Sequence, residues 1–244
     1  MPSRTRLLAL AVAIAAAATH SAGAQNLAVY GAAEAAGFGE GSAILGAALT
    51  PGHLGLNWVV GANVQTYRFR TTNFATGAVT HEQRVAFTPS VGLQFRVPDG
   101  AVQGTVGYTF TSGNVANTAD IVGVPGGGAS SPVLAAQGNY WGGIFEHEGI
   151  IAYTTKNKYL WSRIRLAARP MPLTPVYLGG EFIYQGTADF GHRYQAGPTI
   201  NFHVTPNLHI GVDGGVRWNS VAGSTANLPK SGYVGVYFVA LSAF

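Results

Sequence analysis

Residues 85–97 read VAFTPSVGLQFRV, and a ruler of period two sorts them. The odd positions Val85, Phe87, Pro89, Val91, Leu93, Phe95 and Val97 are apolar. The even positions Ala86, Thr88, Ser90, Gly92, Gln94 and Arg96, with Arg84 just before them, are polar or small. Successive side chains on a strand point to opposite sides of a sheet. The stretch is therefore a strand with one oily and one wet face. It is also long: ordinary strands run about 5–6 residues, whereas a tilted strand crossing a bilayer needs about 9–11.

The pattern recurs along the chain. Val102, Gly104, Val106, Tyr108 and Phe110 alternate with Gln103, Thr105, Gly107, Thr109 and Thr111. Tyr194, Ala196, Ile200, Phe202 and Val204 oppose Arg193, Gln195, Thr199, Asn201 and His203; Leu208, Ile210, Val212, Val216 and Trp218 oppose His209, Asp213, Arg217 and Asn219. A soluble sandwich with one face on its core alternates too, so strand length and wiring must decide. Connections near 51–52, 98–100, 142–143, 170–175 and 205–207 are tight; those near 71–81, 113–131, 154–158, 187–192 and 220–231 are looser. Short turns on one side and longer loops on the other are the wiring of a transmembrane barrel. The expected fold is all-β: a closed antiparallel up-and-down β-barrel in a bacterial outer membrane.

Composition agrees. Only 10% of the 244 residues are charged against 47% hydrophobic, with 34 glycines and no cysteine. That charge is less than half of the usual quarter or so. Beyond the N-terminus no apolar run reaches the roughly 20 residues of a membrane helix. Residues 1–24 carry Arg4 and Arg6, an apolar stretch from Leu7 to Ala18 and Ala22-Gly23-Ala24. They read as a secretory signal peptide, leaving 25–244 as one barrel domain. Loss of those arginines lowers the net charge from +4 to +2, so a nucleic-acid partner has no support. Without cysteine no disulfide holds an exported fold. In hydrocarbon a spanning sheet must close on itself to satisfy its backbone, and that closed ladder takes over the task.

Strand-like segments lie near 27–36, 42–50, 54–70, 82–97, 101–112, 144–153, 159–169, 176–186, 193–204, 208–219 and 232–244. With both ends on the periplasmic side the number must be even. Parity counted from each end places the missing strand in PVLAAQGNYW, residues 132–141. Twelve strands are expected, with ten as the alternative. The closing stretch SGYVGVYFVALSAF puts Val234, Val236, Phe238 and Phe244 on one outward face. Phe238 and Phe244 resemble the signal that the barrel-assembly machinery reads in outer-membrane proteins. Trp58, Trp141 and Trp218 fall near strand ends, where such rings favour the lipid interface.

The wet face carries Glu82, Arg84, Arg96, Glu146, Glu148, Arg163, Arg165, Arg169, Glu181, Arg193, Asp213 and Arg217. Arginine–carboxylate pairs, bidentate where geometry allows, are expected among them. Two uses are open. The charges brace a filled interior, since a buried charge needs a partner. Alternatively they line a narrow polar conduit whose guanidinium excess favours anionic or hydroxyl-rich solutes. Barrels of about eight strands are filled and those of 16 or more are open; twelve lies between.

The stretch AYTTKNKYLWSRIRLAARP, then VYLGGEFIYQG, His192-Arg193 and the final GYVGVYF resemble the small outer-membrane protein of bacterial cellulose-synthesis clusters, the BcsS-type family. The resemblance rests on Tyr153, Trp161, Arg163, Arg165, Gly179, Glu181 and Gly186 and covers about the last 100 residues. It implies a non-catalytic barrel assisting synthesis or export of an exopolysaccharide. The partners expected are outer-membrane lipid, the assembly machinery and a polysaccharide or other polar solute, without a cofactor.

Catalysis finds little footing. A nucleophilic serine needs a base within hydrogen-bond reach. His147 and Ser162 both face lipid, and a hairpin centred near Lys156 sets His147 opposite Arg165, on the order of 10 Å from Ser162. His203 and His209 face each other inward across the turn 205–207. Zinc sites normally take three or four protein ligands, and the spacing offers no third, so no metal is expected. Glycine-rich IVGVPGGGASS (121–131) lacks the lysine and helix of a phosphate-binding loop; it reads as an extracellular loop.

Overall fold

A computed structural model describes residues 25–72, 79–112, 130–156, 158–171, 174–187, 191–220 and 230–243. Twelve strands follow one another: β1 (Gln25–Ala36), β2 (Glu40–Pro51), β3 (Gly55–Thr72), β4 (Val79–Val97), β5 (Gly100–Thr111), β6 (Ser131–Tyr140), β7 (Phe145–Thr154), β8 (Tyr159–Ala168), β9 (Val176–Thr187), β10 (Gly191–Thr205), β11 (Leu208–Ser220) and β12 (Ser231–Ala243). Each pairs antiparallel with the next, and β12 pairs with β1, so the sheet closes into a barrel without an edge. The strand inferred from parity alone, PVLAAQGNYW, is β6. The signal-peptide segment and Phe244 lie outside the described residues.

Alternation decides which face each residue takes. Val91, Leu93, Phe95, Val102 and Val106 stand outward and more than half exposed. Phe238, Val236 and Val234 continue this apolar belt on β12. In water such a surface would drive aggregation; in lipid it is the matching solvent. The inward partners are polar, so the conventional core is inverted: the oily residues coat the molecule and the charges fill it.

The wiring departs from expectation in two places. β3 and β4, at 18 and 19 residues, run well past the others and leave only 73–78 between them. The loose end also has short links at 37–39, 155–158 and 188–190. The longest spans on that side lie between β5 and β6 and between β11 and β12. This is the loop end; the end with 52–54, 98–99, 141–144, 169–175 and 206–207 is the turn end. Trp58 and Trp218 face outward, but Trp141 does not join the interface. It turns inward and meets His209 edge-on, ring centroids 4.9 Å apart, because it shares the parity of the inward Asn139.

Candidate functional site

The lumen is filled from one side, in three tiers. In the middle tier, strand register sets Arg165 on β8 directly opposite Glu148 on β7 and Glu181 on β9. Opposite charges so placed attract across a sheet. Arg165 lies 2.6 Å from Glu181, 3.4 Å from Asp213 and 3.6 Å from Glu148. Its guanidinium also stacks 3.6 Å over the ring of Tyr237, which reaches in from β12. Arg163 pairs with Glu148 and approaches Glu181 at 4.0 Å.

Toward the loop end, Arg217 forks between Glu34 and Glu40, 2.9 Å from the latter. Arg193 adds a contact of 3.1 Å to Glu40 and donates to Asn219 at 2.9 Å. Gln195 donates to Glu34 at 2.8 Å. Toward the turn end, Glu146 accepts from Asn201 at 2.8 Å and contacts His203. His203 stacks on His209, centroids 3.9 Å apart, and on its other side on Tyr177 at 4.7 Å. The β10–β11 register shifts between His203 and Thr205, a bulge of the kind that re-aims a side chain beside a site.

The bidentate pairs expected from sequence are replaced by shared contacts: Arg163 and Arg217 each serve two carboxylates, Arg165 serves three, and Arg193 shares Glu40 with Arg217. Two of those carboxylates, Glu34 and Glu40, had not been anticipated. With them, Arg163, Arg165, Arg193 and Arg217 meet Glu34, Glu40, Glu148, Glu181 and Asp213, so this network holds no guanidinium excess. The remaining arginines are dispersed. Arg84 is buried opposite Tyr67, Arg96 sits near the turn end opposite Gly55 and Ala101, and Arg169 stacks 4.8 Å over Tyr177. Glu82 pairs with Phe69 through the backbone; its side chain lies outside the described residues.

Several of these contacts link strands that are not neighbours. Arg165–Tyr237 joins β8 to β12, and Arg193–Glu40 joins β10 to β2. Most inward residues of β8 to β11, among them Glu181, Gln185, Gln195, Thr199 and Arg217, are buried. The opposite wall is different. Ser90, Gly92 and Gln94 on β4, Gln103, Thr105 and Gly107 on β5, and Ala135 and Gln137 on β6 all keep part of their surface accessible. A row of amides runs along this wall, Gln94 donating to Gln103 at 3.2 Å and Gln103 to Gln137 at 3.4 Å. At mid-height the chain therefore sets a charged brace against a neutral stretch of small and amide side chains, bounded on β4 by Arg84 and Arg96.

Ser162 and His147 both face outward as expected, but His147 is opposite Leu166 rather than Arg165. It stacks on Tyr140 at 5.4 Å. Ser162 is opposite Ile151, four positions away, or about 13 Å along the strand. The two do not form a catalytic pair.

No family model matches the chain, and no curated protein matches it in sequence. Solved structures match it in fold. An outer-membrane channel from Pseudomonas putida F1 superposes with a TM-score of 0.55 at 12% identity, covering 91% of this chain and 97% of the other. A chain solved in a study of the in-meso crystallization of membrane proteins gives 0.50 at 12% identity, covering 90% and 84%. Both likenesses are of architecture. A closed antiparallel barrel with an apolar outer belt and a polar interior is an outer-membrane barrel, and the bacterial outer membrane is where this chain resides.

Proposed function

We propose that the barrel is a narrow polar channel whose path runs off-centre, between the charged brace and the β4–β6 wall. The observation that carries this reading is the one-sided filling of the lumen. Most inward residues from β8 to β11 are buried, whereas at mid-height those of β4 to β6, among them Gly92, Gln94, Gln103, Thr105 and Gln137, keep part of their surface accessible. Evenly spread bracing would have closed both sides alike. The Pseudomonas putida channel of the same fold supports conduction. The solute class follows from the wall: an amide row offers paired donors and acceptors, and the balanced brace gives no reason to prefer anions. Hydroxyl-rich solutes fit that lining. The resemblance of the last 100 or so residues to the cellulose-cluster barrels supports an exopolysaccharide among them. No catalytic role belongs to this reading.

Single-channel conductance of the folded barrel in a planar bilayer tests it. Thr105→Trp, in the middle of the accessible wall, should lower the conductance. Val106→Trp, one residue away on the lipid face, should leave it unchanged. The double variant Arg163→Ala, Arg165→Ala should raise it and flatten its salt dependence. A silent bilayer from correctly folded wild type would sink the channel reading. The cross-lumen contacts would then mark a plugged barrel with a structural or partner-binding role.

A further inference from the structure

We propose that Glu146, His203 and His209 form a binding site for a divalent cation of the zinc class at the turn end of the lumen. Their ligand atoms, a carboxylate oxygen and two imidazole nitrogens, all lie within 4.8 Å of one another. They come from β7 and from both sides of the β10–β11 turn, so the fold gathers what the chain separates. Two imidazoles and a carboxylate suit zinc, which takes three protein ligands and keeps a fourth position for water or a solute oxygen.

The surroundings are those of a prepared site. Imidazole ligands typically give their second ring nitrogen to a carbonyl or carboxylate, which fixes the ring and its tautomer. His209 has the backbone carbonyl of Pro206 within reach for that bond. Asn201 holds the second oxygen of Glu146 at 2.8 Å and is itself engaged by the Tyr237 hydroxyl. Trp141 against His209 and Tyr177 against His203 wall the two rings on their outer sides. An ordinary ion pair needs only Glu146 and one histidine. The second imidazole, stacked within 11° of parallel on the first, has no part in such a pair and completes a chelate. On binding, the two rings fan apart about χ2 until both nitrogens aim at one ion, which takes the place of the His203–Glu146 contact. Imidazole favours zinc, copper and nickel over magnesium and calcium, so the hard cations of the cell envelope would not compete.

The test uses the full barrel, folded in detergent, stripped with chelator and titrated with Zn2+ by calorimetry. Co2+ titrated by visible absorption serves as the second readout. One saturable ion per chain is expected, with ligand-field bands for Co2+ that Zn2+ abolishes and Mg2+ does not. His203→Ala, His209→Ala and Glu146→Gln should each weaken binding. Glu146→Gln retains the Asn201 contact, so a folded barrel remains to be measured. Asn201→Ala should weaken binding by about 10-fold or more through the loss of its support. The double variant His53→Ala, His147→Ala removes imidazoles away from the three and should bind as wild type does. The proposal is overturned by absence of saturable binding in folded wild type. It is equally overturned by binding that survives when His203→Ala, His209→Ala and Glu146→Gln are combined in one chain, or that vanishes with His53 and His147. None of these outcomes depends on whether the lumen conducts.

Discussion

Arg165 shows how much of the interior hangs on one side chain. It touches three carboxylates and an aromatic ring and keeps only 3% of its surface exposed. Removing one partner from a buried ion network leaves uncompensated charge and typically costs 3–5 kcal/mol. Arg165→Leu should therefore lower stability by about that amount, read as a shifted urea midpoint for the barrel in lipid vesicles. Adding Glu181→Leu to it should recover part of the loss, because the charge stranded by the first change is then gone. Arg165→Lys should fall between them, keeping the charge but losing the planar fork and the stacking on Tyr237. Alternation in the sequence placed Arg165, Glu148 and Glu181 on one face. Glu34 and Glu40 were missed because they sit in AVYGAAEAAGFGEGSAILG, where alanine and glycine occupy both faces and no period of two stands out. The surplus of inward arginines over acids was the available signal that partners were still to be found.

Individual strands show a second kind of dependence, between glycine and tyrosine. Gly211 on β11 pairs with Tyr237 on β12, and the tyrosine ring occupies the space a Cβ would need. Tyr30 covers Gly46 in the same way on β1 and β2. An aromatic ring laid over a cross-strand glycine both packs and fixes register. Tyr237 cannot swing aside, because Arg165 stacks on it and its hydroxyl engages Asn201. Gly211→Val should thus cost about 1–3 kcal/mol through overpacking. Gly104→Val, outward on β5 with nothing near its would-be Cβ, should be neutral or mildly stabilising. Circular-dichroism melts of the two variants side by side check this. Proline marks the ladder differently. Pro89 and Pro198 face outward within long strands, and the β4–β5 and β10–β11 pairings skip them. Proline has no N–H to give a ladder. Each is paired on one flank only, with Ala62 and Gly180 respectively. The alternation survives because proline still counts as one apolar outward position.

For the whole molecule, the number of strands and the facing of each clear alternation were legible from residues alone, since lipid permits only a closed sheet of regular period. What fills the lumen was not. Glu146 and Asn201 lie 55 positions apart and on strands separated by two others. Their meeting depends on curvature, which no linear pattern encodes. The third member of the histidine cluster was hidden for the same reason. Trp141 was assigned to the interface because an aromatic at a strand end fits either face. Only the parity of β6 and the presence of His209 turn it inward.

The loop-end tier has a bearing on how the cylinder comes together. Its carboxylates, Glu34 and Glu40, sit on the first hairpin, and its arginines, Arg193 and Arg217, on the last but one. Between them runs the junction of β1 with β12, where the two ends of the sheet meet. Closing that junction spans nearly the whole chain and is the contact of greatest loop entropy. The charges act as a clasp across it, attracting before the backbone bonds can form. Glu34→Gln with Glu40→Gln should slow the appearance of the compact, heat-modifiable band during refolding into vesicles, and high salt should slow the wild type in the same direction. A time course indifferent to both would show that the clasp fastens only after the seam has already shut.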